Sequence, residues 1–72
     1  MHQPPYIGEL LAVHDYKKDY ILGMIVDICD DGDFPYVIDW YYKDASVVDS
    51  AYTSLEDVLL YRKRFRELKK KL

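Results

Sequence analysis

The sequence predicts a mostly β fold: a small curled sheet or barrel of five strands, followed by a basic C-terminal helix. Three observations carry this expectation. Short runs rich in β-branched and aromatic residues alternate with clusters of Asp, Gly, Pro and Ser that form turns. The chain has 72 residues, room for one domain with a small core. Its last stretch changes character, with Val58, Tyr61, Phe65, Leu68 and Leu72 spaced as one helix stripe among basic residues.

The elements follow in order. Pro4 and Pro5 mark an extended start, and Ile7–Val13 reads as the first strand, ending near His14–Tyr16. Lys17, Lys18 and Asp19 form a polar loop. Tyr20–Cys29 is the clearest strand; on the period of two, Met24, Val26 and Ile28 share one face, and Ile25, Asp27 and Cys29 the other. Asp30–Asp33 suits a hairpin turn, because Asp and Gly tolerate positive φ. In the third strand, Tyr36–Tyr42, Tyr36, Ile38, Trp40 and Tyr42 alternate against Val37, Asp39 and Tyr41. Lys43–Ser46 is the next turn, and Val47–Tyr52 the fourth strand.

The end of the chain has two readings. The favoured one places a single turn at Ser54–Asp57, a short fifth strand at Val58–Leu60, and a helix over 61–71. It divides the chain into a barrel at 1–60 and a basic helical extension at 61–72. The alternative is a continuous helix from Leu55. Thr53 or Ser54 supplies an N-cap, with Glu56 and Asp57 in the first turn and lysines in the last, as the helix dipole prefers.

Charge is divided as sharply as structure. Residues 1–57 hold twelve carboxylates against three lysines, a balance of −9; residues 58–72 hold seven bases against Glu67, a balance of +6. An acidic body repels phosphate, so nucleic acid is expected to contact the tail alone, and weakly. Cys29 is the single cysteine, which excludes an internal disulfide and suits a small half-buried residue in a reducing compartment. No apolar run approaches the length of a membrane span, and Met1–Pro5 lacks the features of a signal peptide.

The order Ile7-Gly8-Glu9-Leu10-Leu11, Leu22-Gly23-Met24-Ile25-Val26, Tyr36-Val37-Ile38-Asp39-Trp40-Tyr41 and Ser54-Leu55-Glu56-Asp57-Val58 resembles SH3-like and Tudor-like barrels. Those barrels join a Gly-acid-Leu-Val strand, a Gly-x-Ile-Val strand and a strand ending Val-x-Trp, with a helical turn before the last strand. The sequence is similar to small proteins of tailed bacteriophages, notably cyanophages, over residues 6–61. It departs from the pattern after the third strand, where Tyr41–Asp44 replaces the common Asp-Gly turn, and in its basic extension. The resemblance implies a virion or host-cytoplasm location and a role in protein contact.

Candidate sites are few. Tyr20, Tyr36, Trp40, Tyr42 and Tyr52 form either the walls of a core or, as Tudor-like barrels imply, a cage for a methylated lysine held by cation–π attraction. Asp27, Asp30, Asp31 and Asp33 fail as a calcium loop, since Cys29 and Ile38 occupy ligand positions; they read as a hairpin turn. His2 and His14 have no companions at metal-ligand spacing. No phosphate loop, dinucleotide fingerprint, nucleophile elbow or Cys-x-x-Cys occurs, so neither catalysis nor a cofactor or metal is expected.

The expected function is a non-enzymatic phage structural or accessory protein that binds virion proteins or copies of itself. Its expected contact residues are Trp40, Tyr42, Tyr52, Arg62, Phe65, Arg66 and Lys69. A Tudor-like peptide reader and an acidic effector imitating DNA towards a host protein are the alternatives.

Overall fold

The computed structural model describes residues 3–14, 19–30, 32–42 and 47–71. It is mostly β: four antiparallel strands form an open sheet, and one helix follows. The strands are β1 (Leu10–His14), β2 (Tyr20–Ile28), β3 (Tyr36–Tyr41) and β4 (Val47–Thr53), and the helix is α1 (Leu55–Lys70). The sheet is a meander in the order β1-β2-β3-β4. The expected loop at Lys17–Lys18 and turn at Lys43–Ser46 lie outside the described residues, as do Asp31 and His2.

The expected start of the first strand is a turn instead. Glu9 N–H donates to Tyr6 O at 3.0 Å, and Gly8 has φ +93°, the geometry of a type II turn with glycine in its third position. Gly8 N–H then donates to Ile25 O at 2.7 Å, while Ile25 N–H donates to Glu9 O at 3.0 Å. Two residues thus face one, a bulge whose first residue is a left-handed glycine. Turn and bulge together explain why the Gly-acid pair sits where the chain enters the sheet.

A second irregularity overturns part of the face assignment in β2. Ile25 pairs with Ile38, but Asp27 pairs with Val37, so Val26 is an extra residue. Side-chain parity reverses there. Ile28 consequently shares a face with Ile25, not with Met24, and both pack with the core. In β3 the alternation holds: Ile38 is fully buried and Trp40 is 9% exposed.

The core lies between the inner sheet face and α1. Leu11, Ile25, Ile38, Trp40 and Val58 form it, with Val13, Ile21, Ile28, Tyr36, Ala51 and Tyr61 packed around them. Gly23 faces Leu11 on one side and Trp40 on the other in the strand register. The Trp40 ring occupies the space where a Gly23 side chain would be; a Cβ there would lie 2.7 Å from Trp40 Cε3 and Cζ3.

Residues 58–60 are helical, so the fifth strand of the favoured reading is absent and its place is taken by the continuous helix. Three local features extend the Ser54 turn. Ser54 is extended at φ −77° and accepts at Oγ from Asp57 N–H at 3.3 Å. Val58 N–H donates to Ser54 O at 3.0 Å, the first bond of an α-helical ladder. Glu56 and Asp57 stand at the positive end of the dipole, and Lys69 and Lys70 at the negative end. The run Val58–Tyr61 is not buried as a strand would bury it: Val58 is enclosed, whereas Leu60 is 44% exposed. The helix also runs unbroken through the expected domain boundary at 60/61.

Candidate functional site

The most elaborate arrangement of polar groups joins the start of the chain to α1. Arg62 sits on the inward stripe of the helix, one position after Tyr61, and is buried. Its guanidinium grips the Glu9 carboxylate with two N–H groups: Nε donates to Oε2, and Nη2 donates to Oε1 at 2.9 Å. Nη1 donates to Gln3 O at 2.7 Å. The planar fork of arginine suits such a carboxylate. Hydrogen bonding to Glu9 pushes the Arg62 pKa above its ordinary value; burial opposes this, and the Glu9 charge reinforces it. The chain entering β1 and the middle of α1 are therefore tied by a buried ion pair. The Gly8 bulge positions Glu9 for it.

Beside this pair opens a groove of about 400 Å³, lined by Gln3, Tyr6, Gly8, Glu9, Leu10, Arg62, Phe65, Arg66 and Lys69. Tyr6 and Leu10 are about half exposed, at 49% and 50%. Phe65 is half-buried and carries Lys69 Nζ 5.7 Å from its ring centroid, a cation–π contact. Glu9 neutralises Arg62. Arg66 and Lys69 are exposed, and among the described residues neither has a carboxylate partner. The groove therefore combines apolar walls with two uncompensated cations.

The helix starts directly after β4 and packs chiefly against β1. Arg62 meets Glu9 at the entry to that strand, and Phe65, Arg66 and Lys69 follow it along the groove.

A second opening, about 270 Å³, lies on the other flank of α1 and is lined by Val13, Ile21, Trp40, Asp49 and Tyr61. The Trp40 and Tyr61 rings meet edge to face, with centroids 5.2 Å apart and planes at 85°. Burial, then the Asp57 charge, pushes the Tyr61 hydroxyl pKa above its ordinary value of 10.0.

The structure divides the residues proposed from sequence. Trp40 and Arg62 are largely buried, yet each lines an opening: Arg62 the groove and Trp40 the second cavity. Phe65, Arg66 and Lys69 come together in the groove. Tyr42 and Tyr52 are exposed, at 52% and 71%, away from it. The five-ring cage does not assemble. Tyr36 and Trp40 face inward, Tyr52 sits with Val37 on the opposite face, and Tyr20 packs on His14 with centroids 4.2 Å apart. Sequence reasoning missed Gln3, Tyr6, Glu9 and Leu10 as groove walls and Tyr61 as the partner of Trp40. The Gly8-Glu9 pair was the available signal: a buried carboxylate after a turn glycine calls for a cation elsewhere.

Among the described residues, no cluster of His, Cys, Asp or Glu is arranged to hold a metal ion. Among the same residues, no helix is long and apolar enough to cross a membrane. Comparison with known proteins finds no family model, no curated protein and no solved structure that matches the chain.

Proposed function

We propose that the chain is a non-enzymatic structural or accessory protein of a phage particle, acting through protein–protein contact in the virion or the host cytoplasm. The phage assignment, and kinship with SH3-like barrels, rest on the resemblance of residues 6–61. In this reading the continuous helix stands in place of the last barrel strand. The observation that carries the contact function is the groove with its two uncompensated cations, Arg66 and Lys69, beside exposed Tyr6 and Leu10. Apolar walls give a partner area to bury, and free cations select an acidic one and steer its approach. Nucleic acid fits less well, because Arg62 is neutralised by Glu9 and the sheet carries most of the acids.

Pull-down with the tagged chain from purified virions and infected cells, followed by mass spectrometry, tests this. Particle proteins are expected to accompany the wild type and to be lost with a double Arg66→Glu, Lys69→Glu variant. Absence of the chain from purified virions would end the structural version.

The opening at Trp40 supports a second reading, a Tudor-like reader of a cationic side chain. Two rings and the Asp49 carboxylate line one small cavity. Titration with a trimethyllysine peptide should shift the Trp40 and Tyr61 resonances; unchanged spectra remove this reading. The acidic-effector reading is the less favoured, because among the described residues the carboxylates of the sheet lie on different faces. Glu9 is buried in an ion pair, Asp39 shares a cross-strand row with Met24, and Asp49 shares one with Trp40.

A further inference from the structure

The β2–β3 connection carries the chemistry the groove lacks. Its tip holds Asp30 and Asp33, both exposed, and Phe34, 57% exposed beside them. Gly32 turns the chain with φ +91°. Cys29 N–H donates to Pro35 O at 2.7 Å and closes the connection at its base. A large exposed ring flanked by carboxylates is a poor choice for a solvated hairpin tip, where small polar residues serve the turn better. None of these side chains reaches the groove of its own chain: among the described residues Arg66 and Lys69 find no carboxylate, and Phe34 remains open.

We infer that the groove accepts Asp30, Asp33 and Phe34 of a second copy, with Phe34 between Tyr6, Leu10 and Phe65 and the two carboxylates on Arg66 and Lys69. This rests on the contact function proposed above and names its partner. Charge complementarity selects the occupant: the tip is purely acidic, and the unpaired groove charges are purely basic. Position favours reciprocity. Gly8, a groove wall, bonds to Ile25, three residues before β2 ends and the connection begins. Groove and tip therefore share one end of the sheet, and two copies related by a twofold axis can each give a tip and receive one, as an isologous interface requires. The contact also brings carboxylates to cations in a molecule of net charge −3, where random encounters are mildly repulsive.

Sedimentation equilibrium of the full chain at about 50 mM and about 500 mM salt tests the proposal, since screening weakens pairs that remain partly exposed. A reversible dimer at low salt is expected, weakened at high salt. Arg66→Glu and Asp33→Lys should each weaken it about tenfold or more, and an equimolar mixture of the two should associate again through the exchanged charges. Phe34→Ser should also dissociate it, with an unchanged circular dichroism spectrum showing that the fold is kept. A chain that stays monomeric up to about 1 mM at low salt would overturn the proposal, as would a dimer indifferent to all three substitutions. Failure here is separable from failure of the contact function. A monomer whose wild-type groove still retains a particle protein, lost with Arg66→Glu and Lys69→Glu, refutes self-association alone.

Discussion

The two faces of the sheet obey different rules. On the inner face, Leu11, Ile25 and Ile38 are fully buried beneath α1, and the buried carboxylate beside them, Glu9, is matched by Arg62. On the outer face, Leu10, Met24, Asp39 and Ser50 form one cross-strand row, and Ala12, Leu22 and Tyr41 form the next. Ser50 Oγ donates to Asp39 Oδ1 in the first row. Leu10, Leu22 and Tyr52 stay open at 50%, 43% and 71%. Apolar content alone therefore does not separate the faces: Ala12 is fully enclosed on the outer one, while its larger neighbours stay open. The inner face is determined by fit between particular side chains, and substitutions there should be felt far more than on the outer face.

The largest expected effect is loss of the clasp. Arg62→Ala strands a buried carboxylate and should destabilise the chain by about 3–5 kcal/mol in chemical denaturation. A double Glu9→Leu, Arg62→Met variant should recover most of that loss, because it removes both charges from the interior. If Arg62→Ala cost no more than an outer-face substitution, the clasp would be a surface contact and the contrast would fail.

Next comes Gly23→Ala. Its new methyl meets the Trp40 ring and Ile38 Cγ2 at 2.7–2.9 Å, and the overpacking should cost about 1–3 kcal/mol. The loss should be accompanied by a shift in Trp40 fluorescence. Ser54→Ala removes the N-cap oxygen and should cost about 1 kcal/mol, read as a lower thermal midpoint. At the small end, Tyr52→Ser and Leu22→Thr should each change stability by about 0.5 kcal/mol or less, as exposed positions do.

Alkaline pH sharpens the same contrast. The Tyr61 hydroxyl, raised by burial and then by Asp57, holds its proton longer in the folded chain than in the unfolded one. The stability it contributes is complete below pH 10.0 and is lost as pH rises from there through the folded pKa. Tyr61→Phe should flatten this alkaline loss. Tyr52→Phe, on the open face, should leave it in place, and thermal melts across that range distinguish the two.

Much of this was legible before any coordinates. The alternation in Tyr36–Tyr42 put Ile38 and Trp40 on one face, and the helix stripe included Val58 and Tyr61. The errors share one cause. A run such as Val58–Tyr61 looks the same in a buried strand and in a helix, so hydrophobicity alone cannot separate them. The Val26 bulge is one backbone residue out of register, and it leaves no mark in composition while reversing every side chain after it. The groove was half legible: Phe65, Arg66 and Lys69 fall on one helix, but its other wall comes from residues more than fifty positions earlier.

By itself, the sequence determined the local choices: four of the strands, the turn at Gly32, a cap at Thr53 or Ser54, and a chain acidic in front and basic behind. Those follow from side-chain sterics, φ preference and charge, which act over a few residues. Only the tertiary structure decided that the sheet stays open, that α1 replaces a fifth strand, and that Glu9 finds Arg62. It also decided that Arg66 and Lys69 stand beside Tyr6 and Leu10 in one groove. Those outcomes depend on which distant groups meet when the helix closes over the inner face, where burial makes a matched charge stable and an unmatched one costly.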